Sequence, residues 1–314
     1  MSAATHMQVS EDGAPDGESC ADVVIIGGGP AGLTAAIYLA RFRRSVVLLD
    51  AKQSRLSKIP LTHNYPGFAD GISGGSLLET LQSQLQRYPV RTVEVRADRV
   101  EHDADRFTVH TTAGAVRARL LLLATGVTDI PPVMPQVQEA VGSGALRYCP
   151  VCDAYEVIGQ AVGVYADGAT GVAEALYLRH FTADVVLLMD QGAATLTAAQ
   201  RRRLANAGIG CPEEAVSGIL HHRDHVVVVH GPRETRRDTL YCALGLEVHA
   251  QLALALGART DEGGYVVVDA HHATNVQGLY AIGDVAQGLN QIAVAAGGAA
   301  IAASAIHRHL AALG

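Results

Sequence analysis

The segment Asp22-Val-Val-Ile-Ile-Gly-Gly-Gly-Pro-Ala-Gly32 gives the clearest indication of the chain's architecture. Its continuous apolar run is typical of a parallel β-strand buried on both faces, and the glycine turn leads into a predicted helix that ends near Arg41. A second strand, predicted over residues 45–49, ends at Asp50. A strand, a glycine turn, a helix and an acidic residue after the next strand together predict a dinucleotide-binding unit.

Each part of this motif has a predicted role. Gly27 allows the tight turn, Gly29 lets a pyrophosphate approach the backbone, and Gly32 lets helix and strand pack closely. The N–H groups at the helix start attract phosphates, and a carboxylate at position 50 can accept hydrogen bonds from ribose hydroxyls. An ordinary glycine-rich turn is the alternative, but the register of strand, helix and acid favours a cofactor site. The predicted cofactor contacts here are Gly27, Gly29, Pro30, Ala31, Gly32 and Asp50.

A second copy of the pattern begins at Ala161. It contains a predicted strand over 162–165, a loop over 166–171, a helix over 172–180 and a strand over 185–188. The positions that match the three motif glycines and Asp50 are Ala166, Gly168, Gly171 and Met189. The chain therefore contains two dinucleotide folds, and the fingerprint of the second is damaged.

Later segments return to the first unit. Residues 278–284 form a predicted strand ending in Gly-Asp, residues 289–310 an alanine-rich helix, and residues 120–124 a buried strand. The predicted fold class is α/β, with two Rossmann-like, three-layer (ββα) dinucleotide-binding domains, the second inserted in the first. The predicted bounds are a disordered leader over 1–21, a first domain over 22–128 and 248–314, and an inserted domain over 131–245 that carries the cysteine pair, joined by strands at 129–132 and 245–248.

A close pair of cysteines, Cys149 and Cys152, opens the inserted domain and is followed by Asp153. This spacing allows a small disulfide, and a neighbouring helix N-terminus would favour the reactive thiolate. Asp153 adds a carboxylate able to move a proton. Half of a zinc site is the alternative, but it needs a second ligand pair, so no metal site is expected. Inert structural thiols are the third reading.

Composition excludes several functional classes. The net charge of −7 and the lack of a basic block give no indication of a nucleic-acid partner. No apolar run approaches the ~20 residues that cross a bilayer, and no signal peptide is apparent. Five scattered cysteines make a poor disulfide scaffold, which predicts a cytoplasmic location.

In this order, the motifs resemble the low-molecular-weight thioredoxin reductase family. The resemblance covers nearly the whole chain after residue 21. It rests on Gly27-Gly-Gly-Pro-Ala-Gly32, His63-Asn-Tyr-Pro-Gly67, Ala124-Thr-Gly126, Cys149-Pro-Val-Cys-Asp153, Gly283-Asp284 and Asn290-Gln-Ile292.

The resemblance implies a homodimer with FAD in the first domain. It implies that Cys152 faces the flavin, that Cys149 attacks a partner disulfide and that Asp153 is the acid–base. It also implies that the inserted domain rotates to bring either a nicotinamide or the cysteine pair to the flavin. The FAD contacts that it adds are Asn64, Thr125, Gly126, Gly283, Asp284, Asn290, Gln291 and Ile292.

Two departures from the family pattern bear on which electron donor we expect. Members that use NADPH carry a basic cluster where this chain reads Met189-Asp-Gln191, and a carboxylate there repels a 2′-phosphate. Ala166 and Asp167 also disfavour an anionic cofactor. We therefore expect NADPH to be a poor donor and leave NAD(P)H use open. The chain resembles ferredoxin-dependent flavin thioredoxin reductases, also in the stretch 288–291, and this resemblance implies a reduced ferredoxin or similar carrier as the donor.

Three functions fit these residues. The first is a reductase acting on thioredoxin, a thioredoxin-like protein or a small disulfide. The second is a dithiol oxidase that closes a substrate disulfide and gives electrons to oxygen. The third is a non-enzymatic redox sensor that binds FAD, which the intact cysteines and Asp153 argue against. His63 lies near the predicted flavin pocket and is read mainly as structural.

Overall fold

The protein is represented by a computed structural model that describes residues 20–103 and 105–314. The predicted leader falls on residues outside this part of the chain, except for its last two positions. Ala21, the last of them, already belongs to the first strand. None of the helices in the described residues is both long enough and apolar enough to span a membrane.

Sixteen strands are present in the described residues. They are β1 (Ala21–Ile26), β2 (Val46–Leu49), β3 (Arg91–Val93), β4 (Ala97–Asp103), β5 (Arg106–Thr111), β6 (Gly114–Leu123), β7 (Val127–Asp129), β8 (Leu146–Arg147), β9 (Val162–Ala166), β10 (Val185–Met189), β11 (Val216–His222), β12 (His225–His230), β13 (Arg233–Arg237), β14 (Thr239–Ala243), β15 (Leu246–Val248) and β16 (Leu279–Ala281).

Eight α-helices accompany these strands over the same described residues. They are α1 (Pro30–Arg41), α2 (Gly74–Leu85), α3 (Val137–Gly142), α4 (Pro150–Asp153), α5 (Ala169–Leu178), α6 (Ala198–Asn206), α7 (Gln251–Ala255) and α8 (Ile292–Leu313). Short 3-10 segments lie at Arg55–Lys58, Ala154–Val157, Ala193–Thr195 and Gly283–Val285.

The first sheet has the strand order β3-β2-β1-β6-β5-β4, with β16 paired to the end of β6. Strands β1, β2, β3, β6 and β16 pair in parallel, whereas β4, β5 and β6 pair antiparallel. Val23 and Ile25 pack with α1 and α8 on one face, and Val24 and Ile26 pack on the other. Because successive strand residues face opposite sides, burial on both faces explains the continuous apolar run.

The second sheet is parallel, with the order β10-β9-β14-β8, and a separate antiparallel sheet contains β11, β12 and β13. Its helix α5 packs on β9 and β10, as α1 does on β1 and β2. The prediction of an α/β fold with two Rossmann-like units is thereby confirmed in its architecture. The sequence had not indicated the antiparallel strands β4 and β5.

Two short strands connect the units. β7 and β15 pair antiparallel, with Asp129 opposite Leu246 and Val127 opposite Val248. The second connecting strand lies where it was predicted, but the first ends at Asp129 rather than beginning there. Two prolines follow at 131 and 132, and proline cannot donate a hydrogen bond to a strand partner, so pairing stops before them.

Candidate active site

The cysteine pair is joined as a disulfide at the start of the second unit. Cys149 and Cys152 are half-buried and form the disulfide at the N-terminal end of α4. Cys149 is the N-cap residue and Pro150 the first helical residue, where the missing proline N–H costs nothing. The Cys152 N–H donates to the Cys149 carbonyl at 2.9 Å, so this turn holds both sulfurs in place.

Residues of the first unit contact this disulfide. The Gln291 side chain donates from Nε2 to Cys152 Sγ at 3.3 Å and lies 3.6 Å from Cys149 Sγ. Its Oε1 accepts from Asn64 Nδ2 at 2.9 Å, and the same Asn64 nitrogen lies 3.5 Å from the Val151 carbonyl oxygen. The structure therefore brings together Asn64, Gln291 and the cysteines, which are far apart in sequence.

Asp153 is held by two partners. Its Oδ2 accepts from Arg147 Nη1 at 2.8 Å, and its Oδ1 accepts from the Tyr241 hydroxyl at 2.8 Å. Burial raises the pKa of Asp153, and the opposing effects of Arg147 and Tyr241 do not cancel it. Burial likewise raises the pKa of the Tyr241 hydroxyl, which stays protonated and donates. The carboxyl is thus poised to hold a proton, although both oxygens are occupied.

The first glycine turn is too tight for any side chain at two positions. A Cβ on Gly27, whose φ is +117°, would lie 2.2 Å from the Ala124 carbonyl oxygen, and one on Gly32 would lie 1.8 Å from the Gly27 carbonyl oxygen. A Cβ on Gly28 would lie 2.1 Å from the Asp50 carboxyl carbon. Gly28 therefore lies against the Asp50 side chain, and the role of Gly29 towards a pyrophosphate stays a prediction. Gly29 itself meets only Ser54 Oγ, at 3.3 Å.

This cradle fits a dinucleotide. Helix α1 begins at Pro30 with no side chain capping its N-terminus, so its first-turn N–H groups are open to an anion. Asp50 is buried after β2, with Oδ1 accepting the Lys52 N–H at 2.8 Å and Oδ2 lying 3.3 Å from Lys52 Nζ. An uncapped helix end and a fixed carboxylate are the groups that bind pyrophosphate and ribose in such folds.

Gly283 and Asp284 lie beside the same helix end. Gly283 has φ +67°, and its position leaves 2.8 Å between an added Cβ and the Ala31 Cβ. Arg55 Nη1 lies 3.3 Å from Asp284 Oδ2, and its guanidinium makes a two-pronged ion pair with Asp129 at 2.6 and 2.8 Å. Burial raises the pKa of Asp284, an effect that Arg55 opposes. The sequence did not single out Arg55.

The other residues predicted to contact the cofactor are Thr125, Gly126, Asn290 and Ile292, and most of them make hydrogen bonds within the first unit. The Thr125 hydroxyl donates to the His249 carbonyl at 2.7 Å, so it joins the two segments of the first unit on either side of the inserted domain. Gly126 has φ +68°, a left-handed conformation that favours glycine, and accepts the His249 N–H. Asn290 Nδ2 lies 3.4 Å from the Tyr265 hydroxyl, and Ile292 begins α8.

The loop after β9 and the end of β10 contain the residues at which the second unit departs from the family pattern. A Cβ on Gly171 would lie 2.2 Å from the Ala166 Cβ, so the small residue needed for close packing is kept. Asp190 follows β10 and accepts from the Tyr165 hydroxyl and, at 2.6 Å, from Gln191 Nε2. The Asp190 carboxylate therefore has two neutral partners, the Tyr165 hydroxyl and the Gln191 amide.

Two acidic residues that the sequence did not indicate are also notable. Glu174 on α5 has a buried Oε2 with no hydrogen-bond partner among the described residues, and burial raises its pKa to about 7. Glu156 Oε1 lies 2.9 Å from His63 Nδ1, and its Oε2 is buried without a partner in the same part of the chain. Neither residue belongs to a spacing motif, so only the packed chain reveals them.

Comparison with known proteins agrees with this geometry. Residues 21–299 match the pyridine nucleotide-disulphide oxidoreductase family. The chain belongs to this family. It is 30% identical over 301 residues to the thioredoxin reductase of Mycolicibacterium smegmatis, covering 90% of this chain and 94% of that one. It is 30% identical over 317 residues to the NADPH-dependent thioredoxin reductase 3 of Arabidopsis thaliana, covering 94% of this chain and 59% of the plant protein.

Among solved structures, the crystal structure of HlmI superposes with a TM-score of 0.86 at 32% identity, with 93% of each chain covered. The predicted resemblance to low-molecular-weight thioredoxin reductases is confirmed by these relatives, as is the prediction of a flavoprotein disulfide oxidoreductase with a redox-active cysteine pair. The domain bounds and the roles of individual site residues remain predictions.

Proposed function

We propose that the chain is an FAD-dependent thiol–disulfide oxidoreductase that exchanges electrons with thioredoxin, a thioredoxin-like protein or a small dithiol or disulfide. The observation that carries this proposal is the contact of Gln291 with both sulfurs of the Cys149–Cys152 disulfide. It sets the cysteine pair of the predicted inserted domain (131–245) against the predicted FAD domain (22–128 and 248–314). A homodimer is the assembly that the family resemblance implies, and the scattered cysteines favour a cytoplasmic location.

The chain's own residues have separable tasks in this function. FAD, when bound, would supply a two-electron store. The α1 N-terminus and Asp50 would hold its pyrophosphate and ribose, with Gly283 and Asp284 beside the start of α1. Asn64, Gln291 and Ile292 would hold its isoalloxazine end, since Asn64 contacts Gln291 and Gln291 contacts the disulfide. Cys149, at the helix N-terminus, is the thiolate that attacks a partner, because that position favours the ionised sulfur.

A single variant tests the relay. The purified protein is expected to be yellow, and its disulfide to be reduced when the flavin is reduced without oxygen. Cys152→Ser is expected to keep FAD but lose all turnover with disulfides, because the remaining thiol cannot close a disulfide. Cys211→Ser, a free and half-buried cysteine, is the matched control and should keep activity. A colourless protein that cannot be loaded with FAD, or unchanged turnover of Cys152→Ser, would contradict the proposal.

NADPH is proposed to be a poor electron donor, with NADH use open and a reduced ferredoxin or similar carrier as the favoured source. Asp190 supports this, because a carboxylate disfavours a 2′-phosphate at the position where NADPH-dependent members place a cation. A relative of this chain bears the name of an NADPH-dependent enzyme, so the proposed loss of NADPH use rests on Asp190 of this chain and not on the family as a whole. Anaerobic titration of the flavin with NADPH, NADH and reduced ferredoxin tests it, and rapid bleaching by NADPH would overturn it.

A dithiol oxidase that gives electrons to oxygen is the second candidate. The same observation at Asp190 favours it, because an enzyme that receives electrons from its dithiol substrate needs no NADPH site. Steady oxygen consumption with dithiothreitol in the absence of any nucleotide would support this direction. Oxygen uptake no faster than that of the Cys152→Ser variant would exclude it and leave the reductase.

A further inference from the structure

We infer that the Gln291 amide stabilises the sulfur anion that forms on Cys152 when the disulfide is reduced. Asn64 and Thr62 are the positioning residues that hold this amide in its donating orientation. The inference rests on the proposed function and assigns the part of Gln291 in its electron-transfer step. Gln291 Nε2 lies 3.3 Å from Cys152 Sγ and 3.6 Å from Cys149 Sγ. Over residues 20–103 and 105–314, no other side chain donates a hydrogen bond to either sulfur.

A chain of hydrogen bonds within the first unit orients the Gln291 amide. Thr62 Oγ1 donates to Asn64 Oδ1 at 3.0 Å, and Asn64 Nδ2 donates to Gln291 Oε1 at 2.9 Å. The same Asn64 nitrogen faces the Val151 carbonyl oxygen at 3.5 Å, and a carbonyl oxygen can only accept. Because Asn64 presents its NH2 group here, Gln291 must present its oxygen to Asn64. The NH2 group of Gln291 is therefore the end that faces the disulfide.

The backbone fixes both ends of this chain of hydrogen bonds. Thr62 is buried and pairs with Ile72 through two backbone hydrogen bonds of 2.9 and 3.0 Å. Gln291 is the N-cap residue of α8, and its carbonyl accepts the Ala295 N–H at 2.9 Å. The Gln291 side chain does not cap that helix. It therefore reaches the sulfurs from a backbone position that the start of α8 holds in place.

The strength of this hydrogen bond depends on the oxidation state of the sulfur. A disulfide sulfur is neutral and a weak acceptor, whereas a thiolate takes part in a charge-assisted hydrogen bond that is about twice as strong as a neutral one. The amide therefore favours the reduced state over the oxidised state instead of binding both equally. The charged groups around α4 are engaged with other partners. Asp153 is held by Arg147 and Tyr241. Glu156 is in contact with His63.

Electrons and protons balance in this step. The disulfide takes two electrons and one proton from the reduced flavin anion of the proposed function, and the flavin is left oxidised and without that charge. The S–S bond breaks, the proton ends on Cys149 Sγ as a thiol, and the negative charge stays on Cys152 Sγ, next to Gln291 Nε2. The amide keeps both of its protons throughout. The same step runs in reverse when a dithiol substrate supplies the electrons.

This contact is compatible with a cysteine pair that moves. The rotation of the inserted domain, which the family resemblance implies, would carry the sulfurs away from Gln291, because Gln291 belongs to the first unit. The amide therefore favours the thiolate only while the cysteine pair faces the first unit. It makes no demand on the later exchange with a partner, for which the sulfurs are released.

The test measures the redox equilibrium of the cysteine pair and not turnover. FAD-loaded protein is equilibrated without oxygen in mixtures of reduced and oxidised dithiothreitol and quenched with acid, and thiol labelling with mass spectrometry gives the fraction of Cys149–Cys152 dithiol. At about pH 9, Gln291→Met should lower the equilibrium constant for reduction at least tenfold, which is about 30 mV for a two-electron couple. At about pH 6 the change should be less than about twofold, because thiols with an ordinary pKa of about 8.5 are then protonated and uncharged. Gln291→Glu keeps the size of the side chain but replaces the donor by a carboxylate, so its loss at pH 9 should be larger.

Matched variants separate this role from a structural one. Gln251→Met, at an exposed glutamine on α7, should match the wild type at both pH values. Thr62→Val and Asn64→Leu leave Gln291 in place and should each give a smaller loss with the same dependence on pH. The inference is overturned if both Gln291 variants titrate as the wild type at pH 9, or if their loss is equal at pH 6 and pH 9. A wild-type cysteine pair that stays oxidised in every mixture would instead refute the proposed function, and the inference with it.

Discussion

Replacing Gly32 by alanine should damage FAD binding and stability although alanine is the better helix former. The added Cβ would lie 1.8 Å from the Gly27 carbonyl oxygen and 3.4 Å from the Ala124 Cβ. Contacts of a real Cβ are essentially never under 3.0 Å, so the carbonyl or the helix must move by about 1.2 Å in a close-packed region. We expect a cost of about 1–3 kcal/mol for such overpacking, reduced by a gain of about 1 kcal/mol in helix propensity.

The matched control is Gly297→Ala in the middle of α8, where an added Cβ would meet no atom within 4 Å. That change should stabilise the protein by about 0.5–1 kcal/mol. Urea unfolding gives the free energies, and the ratio of flavin absorbance to protein gives the FAD content. The Gly27 carbonyl that the new methyl group would displace belongs to the turn before α1, where FAD is proposed to bind. Gly32→Ala should therefore lower FAD affinity at least tenfold, while Gly297→Ala leaves it unchanged. Equal stability and equal FAD content in the two variants would refute the reasoning.

Three other predictions concern the second unit. Burial raises the pKa of the Glu174 carboxyl to about 7, so the stability of the folded protein is fully present below the unfolded pKa of this group and is partly lost as pH rises through about 7. Urea unfolding should therefore find Glu174→Gln more stable than the wild type by about 1–2 kcal/mol at pH 8 and equally stable near pH 4. The exposed Glu262→Gln is the control and should show neither effect. The double change Asp190→Arg with Gln191→Arg should increase anaerobic flavin reduction by NADPH at least tenfold, because it replaces a carboxylate by two guanidinium groups, and a rate equal to the wild type would contradict the proposed donor preference. Burial raises the pKa of Cys242 to about 12, so peptide mapping should find it unalkylated by iodoacetamide at pH 8 until the protein is unfolded, and rapid labelling of the native protein would contradict this.

Local sequence patterns were enough to predict the two Rossmann-like units, but not the antiparallel strands β4 and β5. The apolar run before Gly27 and its counterpart at β9 follow from burial on both sheet faces, which imposes a composition that can be read along a few residues. The glycine at position 32 is likewise explained by a contact only five residues away. The predicted ends of strands were less accurate, as at β7, because hydrogen-bond partners and the prolines that follow determine where a strand stops.

Short stretches of the chain are enough to predict the pair of Rossmann-like units, the glycine cradle, the cysteine pair and the lack of basic residues at positions 189–191. The ion pairs of Arg55 with Asp129 and Asp284, and the contact of His63 with Glu156, are visible only in the folded chain. Periodicity and spacing reflect the local backbone and the burial of each residue. A contact between residues some 75 to 230 positions apart depends on how whole units pack, and no short stretch of sequence carries that information.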